Sequence, residues 1–127
     1  MYGRRPFLLV VTAALAGCSL ISDQSTSQTS SLSLTIQNDR SSPTDVTVTL
    51  TDAGDTVIDE ETDRLAGSVG RTFEFTVTER GRYTVTVEGD DWKTEQTWDT
   101  ETCASYTATV RFTDSSLENS AECVESR

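Results

Sequence analysis

The sequence predicts an all-β domain, a seven-stranded antiparallel sandwich of two sheets that follows an export signal and a polar tether. Three observations predict it. Apolar and polar residues alternate with a period of two over most of the chain from Leu32 to Phe112, the pattern of strands with one face buried and one face wet. Turns bearing Gly and Asp separate the alternating runs, because these residues accept the backbone angles that reverse a chain. Nothing from Leu32 onward carries the 3.6-residue apolar period of a long amphipathic helix.

The chain opens on an address. Arg4 and Arg5 precede Pro6, Phe7 and Leu8, and no Asp or Glu occurs before Asp23. The apolar run from Phe7 to Ala16 is ten residues long, half of the roughly 20 that a bilayer-spanning helix needs. A basic start, a short apolar centre and a small-residue ending make residues 1–17 an export signal. Arg4-Arg5-Pro6-Phe7-Leu8 resembles the twin-arginine signal, with Gly3 at the place where a hydrophilic residue often stands. Leu15-Ala16-Gly17-Cys18 resembles the lipobox of prokaryotic lipoproteins. That resemblance implies that Cys18 is thioether-linked to lipid and becomes the first residue of the mature chain. Membrane lipid is then a partner, and the expected location is the extracytoplasmic face of the cell membrane.

Residues 18–31 read as the lipidated end and a tether. After the apolar pair Leu20-Ile21, seven serines and threonines fill most of the way to Ser31 with no alternation. Such a chain is flexible and would hold the domain about 20 Å from its anchor on average. The full chain has 10 Lys plus Arg against 21 Asp plus Glu, a formal charge of -11. Loss of Arg4 and Arg5 with the signal lowers this to -13 and leaves Lys93 as the one lysine. Abundant carboxylates, scarce lysine and many threonines resemble the proteins of salt-loving archaea. Carboxylates hold water and counter-ions, and molar salt screens their repulsion within about 3 Å.

The strands follow in order. Leu32, Leu34 and Ile36 face one way in the first. Val46, Val48 and Leu50 alternate with threonines in the second. A short strand is expected around Thr56–Glu60, after the turn at Ala53-Gly54-Asp55. Phe73, Phe75 and Val77 define the next, and Glu79-Arg80-Gly81 connects it tightly to Tyr83, Val85 and Val87. Gly89-Asp90-Asp91 turns the chain into a strand from Trp92 to Trp98. Tyr106, Ala108, Val110 and Phe112 mark the last. The outward threonines are β-branched and polar, and so suit the solvated face of a sheet. The sandwich is expected over 32–112, with 113–127 as a tail.

Glu79-Arg80-Gly81-Arg82-Tyr83-Thr84-Val85 resembles the acidic-x-Gly-x-Tyr-x-apolar corner of immunoglobulin-like domains. The resemblance implies an immunoglobulin-like sandwich in which the tyrosine hydroxyl bonds back to upstream backbone while its ring packs in the core. Val85 stands where immunoglobulins place a cysteine, and the second strand has no cysteine, so their inter-sheet disulfide is absent.

Cys103 and Cys123 remain once Cys18 is lipidated, and an oxidising exported setting favours a disulfide between them. It would tie the tail back to the start of the last strand. Trp92 and Trp98 share a face with Thr94 and Gln96, with no aliphatic residue between them. They form either an exposed platform for a glycan or partner protein, or caps at the two ends of the core, and the capping arrangement is the expectation. Carboxylates cluster at Asp52, Asp55, Asp59, Glu60, Glu61 and Asp63, at Asp90 and Asp91, and at Asp99 and Glu101. No ordered Asp-x-Asp-x-Asp-Gly loop for Ca²⁺ is present, and halophilic surface charge accounts for them without a metal or cofactor.

The chain has no histidine, which excludes a Ser-His-Asp triad, a Cys-His pair and an imidazole metal site. A single small sandwich has room only for a shallow site, so no enzyme is expected. So acidic a surface repels phosphate backbones, and nucleic acid is not an expected partner. The expected function is that of a membrane-anchored lipoprotein displaying a non-catalytic interaction module, its partner an envelope protein or a glycan. The alternatives are a purely structural surface module, and a calcium- or glycan-binding module if Asp90, Asp91, Trp92 and Trp98 gather on one surface.

Overall fold

A computed structural model describes residues 29–127. The signal at 1–17, the lipidation site Cys18 and the tether up to residue 28 lie outside the described residues. The rest forms eight strands: β1 (Ser30–Asn38), β2 (Thr44–Thr51), β3 (Val57–Leu65), β4 (Gly70–Val77), β5 (Arg82–Glu88), β6 (Lys93–Asp99), β7 (Cys103–Phe112) and β8 (Leu117–Ser126). They make two four-stranded sheets, one in the order β4-β1-β7-β8 and the other in the order β3-β2-β5-β6.

The period-two reading holds in detail. Leu32, Leu34 and Ile36 of β1, Val46 and Val48 of β2, and Val85 and Val87 of β5 are fully buried between the sheets. Phe73, Phe112 and Trp98 supply the largest core side chains. Each such aliphatic side chain contributes about 1.5–3 kcal/mol by leaving water. Threonines on the outer faces meet across strands, as Thr35 with Thr72 (2.9 Å) and Thr47 with Thr62 (3.3 Å).

Three features differ from the expectation. The tail is an eighth strand: β8 forms a hairpin with β7, from Phe112↔Leu117 to Cys103↔Ser126. All ten of its residues are exposed, so no alternation marked it. The third strand is longer than expected and runs to Leu65, its only buried residue. It too is an edge strand, and the carboxylates along it hide the pattern. Finally, β1 pairs in parallel with β7, while the other ladders are antiparallel. A parallel neighbour needs a long crossover, which the chain makes by passing through the second sheet.

The two open sides of the sandwich are closed by polar contacts. Arg71 of β4 reaches across to β3, to Asp63 at 2.6 Å and Glu61 at 3.5 Å, with its guanidinium over the Phe73 ring at 4.3 Å. Its hydrogen bond, with the backbone N–H of Arg64, holds the Asp63 carboxyl below the usual carboxylate range. On the other side, Asn119 of β8 bonds Thr94 of β6, and Gln96 donates to the Ser120 carbonyl at 3.4 Å.

The register sorts the loops between two ends. Ser30 pairs with Val77 at one end of the first sheet, and Asn38 pairs with Phe112 at the other. The β1–β2, β3–β4, β5–β6 and β7–β8 loops therefore gather at the end opposite Ser30, where the chain enters the domain.

Candidate interaction site at the end opposite chain entry

Asn38 organises that end. It is the next inward position after Leu32, Leu34 and Ile36, and it is fully buried. A buried amide must find partners. Its two hydrogens are shared among the carbonyls of Ser42 (3.0 Å), Leu65 (3.0 Å) and Ala66 (3.2 Å), and its Oδ1 accepts the Arg40 N–H at 2.8 Å. The β1–β2 and β3–β4 loops are thus held together. Sequence reasoning missed this residue, although a polar side chain at an inward position was the signal that could have found it.

Arg40 joins the remaining loops. Its side chain is only 12% exposed, and its guanidinium reaches Asp91 at 3.0 Å in the β5–β6 loop and Asp114 at 3.5 Å in the β7–β8 loop. Its Nε–H also donates to the Thr113 carbonyl at 3.2 Å, and the Phe112 ring lies 5.2 Å beneath. A mostly buried charge needs such partners to offset its lost hydration. The Thr113 hydroxyl fixes the β7–β8 turn by accepting the N–H groups of Ser115 and Ser116. Beside these residues lies an open groove of about 210 Å³ lined by Arg40, Asp91, Trp92, Asp114 and Leu117, with the hydroxyl residues of the turn.

Trp92 forms one wall. It is half-buried, and its ring packs on Phe112 with centroids 4.7 Å apart. Gly89 makes this possible, since a Cβ there would collide with the indole. The Gly89 N–H donates to the Trp92 carbonyl at 2.9 Å. The Trp92 indole nitrogen is buried without a hydrogen-bond partner.

The four residues considered together in the sequence do not gather. Asp90, Asp91 and Trp92 stand at this end, with both aspartates exposed. Trp98 is at the far end of β6, about 20 Å away along a six-residue span of strand, and is fully buried. The tryptophans therefore cap opposite ends of the core, and an exposed two-tryptophan platform is ruled out. Trp98 packs between Tyr83 (5.8 Å) and Tyr106 (6.3 Å) and donates its N–H to the Cys103 carbonyl at 3.2 Å. Among the described residues no three His, Cys, Asp or Glu side chains gather as a metal site.

The entry end carries the corner expected from residues 79–85. The Tyr83 hydroxyl donates to the Glu79 carbonyl at 2.6 Å, and its ring is buried. Gly81 between them has φ of +154°, which favours glycine. Thr100 closes the corner: its hydroxyl accepts the Gly81 N–H at 2.8 Å and donates to the Gly81 carbonyl at 2.9 Å. Burial, with the charges of Glu79 and Asp52, pushes the Tyr83 hydroxyl above its usual range. Nearby, Cys103 and Cys123 form the expected disulfide, with Cα atoms 5.8 Å apart.

Residues 42–123 match the model of the halobacterial Ig-like domain. The chain belongs to that family. The matched stretch runs from just before β2 into β8, so the eighth strand is part of the Ig-like domain and no appendage. No curated protein matches the chain. Among solved structures, the cytotoxin suilysin from Streptococcus suis is similar at 14% identity and a TM-score of 0.42 over 76% of this chain. The Ig-like chain corresponds to only 24% of that cytotoxin's length.

Proposed function

We propose that this chain is a lipoprotein exported by the twin-arginine route, anchored through lipid on Cys18 at the extracytoplasmic face of the membrane, and that its Ig-like domain is a non-catalytic interaction module. The observation that carries the reading is the order Arg4-Arg5, Leu15-Ala16-Gly17-Cys18, Ser/Thr-rich tether and sandwich along one chain. Two features support it. The Cys103–Cys123 disulfide suits an oxidising compartment. The loops that gather opposite Ser30 would point away from the membrane if the tether leads back to an anchor at Cys18. The halobacterial family accounts for the acidic surface, since carboxylates tolerate molar salt.

Partitioning of variants tests the reading. Cys18→Ser should move the protein from the membrane fraction into the medium. Replacing Arg4 and Arg5 together by lysine should leave it in the cytoplasm with its signal attached. A Cys18→Ser variant that sediments with membranes like the parent would overturn the anchor.

A further inference from the structure

We propose that an apolar groove at the entry end of the domain is the docking site of this chain's own Leu20-Ile21. The groove has a volume of about 320 Å³ and is lined by Ile58 of β3, Thr76 and Val77 of β4, and Thr78, Glu79 and Tyr83. It occupies the open side between β3 and β4. Farther from the entry end, Arg71 closes that side through Glu61 and Asp63. Nearer the entry end an aliphatic side chain stands there instead, although Asp59 to Arg64 after it are all polar or charged. Register explains how Ile58 comes to line the groove. Leu50 pairs with Asp59 but Thr51 pairs with Val57, so Ile58 is the extra residue of a bulge. A bulge bends its strand and re-aims a side chain. Ile58 is 46% exposed and Val57 beside it 55%, while Val77 and Tyr83 form a nearly buried floor.

The chain supplies an occupant within reach. From Ser19 to Ser31, Leu20 and Ile21 are the only apolar residues. β1 begins at Ser30, whose register partner is Val77 of the groove. Eight residues separate Ile21 from Ser30, and that length of chain reaches up to about 30 Å. Stacked sheets lie about 10 Å apart, so the Ile58 wall is well inside this radius. A segment tethered so closely is present at millimolar effective concentration. A second copy of the chain at ordinary dilution competes poorly with it, and a shallow groove needs only modest affinity to be filled. Docking also shortens the link, because Cys18 then stands two residues from the groove. If Cys18 carries lipid, the domain is held to the membrane by its entry end, with the opposite loops facing outward in a fixed direction. That orientation rests on the anchor proposed above; the docking itself does not.

The test uses the three isoleucines of the chain, Ile21, Ile36 and Ile58, labelled with ¹³C at the δ1 methyl in the protein as its host produces it. Ile36, fully buried, is the internal reference. In molar KCl a nuclear Overhauser contact should join the Ile21 and Ile58 methyls, and it should persist in Cys18→Ser. Leu20→Ser with Ile21→Ser should shift the Ile58 methyl signal. It should also speed limited proteolysis between residues 22 and 29 about tenfold, as expected where cleavage tracks the undocked population. Ile58→Ser, on an exposed side chain, should speed cleavage equally. Val69→Ser, exposed at the opposite end, should leave it unchanged. Absence of the Ile21–Ile58 contact overturns the proposal. So do contacts of Ile21 with lipid or detergent alone, and a contact that forms only between differently labelled copies in a mixed sample. A failed anchor would show in the partitioning experiment and leave these results as they are.

Discussion

Tyr83 does two things at once: its ring fills the core beside Trp98, and its hydroxyl holds the Glu79 carbonyl at 2.6 Å. Tyr83→Phe should keep the first and lose the second, at a cost of about 1 kcal/mol. That corresponds to a fall of about 4–8 °C in Tm for a domain of this size, read by thermal circular dichroism in molar salt. The same hydroxyl sets an alkaline limit. Its proton is held more tightly in the folded chain than at the ordinary value of 10.0. The contribution is therefore complete below pH 10, and it is lost as pH rises through the higher folded value. The parent should lose stability across that range more steeply than Tyr83→Phe. The sequence showed this corner because its residues lie within seven positions. Asn38 and Arg40 were not legible in the same way, since their partners come from loops far along the chain. The spacing of residues in sequence carries no information about which loops share an end.

Strands differed in how plainly they could be read, and burial explains the difference. β1, β2, β5 and the second half of β7 each bury one face, so alternation is clean in all of them. Trp92 stands just before β6, and the strand itself has Trp98 on its inward row, preceded there only by Thr94 and Gln96. These two face the polar contacts with β8, not the aliphatic core, and this accounts for the missing aliphatic residue. β8 buries nothing and is held by its ladder, its side-chain contacts and the disulfide. Its Glu118, Glu122 and Glu125, like Asp59, Glu60, Glu61 and Asp63 on β3, place charge on edges that would otherwise invite pairing with other chains. Closing a loop with a separation of 20 residues contributes about 3 kcal/mol in the chain-entropy model. Cys103→Ser with Cys123→Ser should lower Tm accordingly. Hydrogen exchange should then show β8 amides losing protection while β1, β2 and β5 keep theirs. Unchanged protection along β8 would mean that the ladder alone suffices.

Across the whole molecule, the fold class was readable because two-faced burial is written into sequence locally. The sandwich and the Tyr83 corner followed from such local patterns, whereas the disulfide followed from the number of cysteines left and the expected export. The site was readable only in part: Asp91 and Trp92 stand at one end as candidates, but Trp98 belongs to the core of the other. Topology decides that outcome, because an extended strand carries residues six apart to opposite ends of the domain. The arrangement gives the chain a polarity. It enters at Ser30, and the loop groove lies at the opposite end. That polarity has functional meaning if residues before Ser30 lead to a lipid anchor. The measurement that tests this most directly is the intact mass of the protein extracted from membranes of its natural host type. The account predicts a chain that begins at Cys18 and carries the added mass of a thioether-linked lipid. A mature protein that retains Arg4 and Arg5, or that begins elsewhere with Cys18 unmodified, would contradict it.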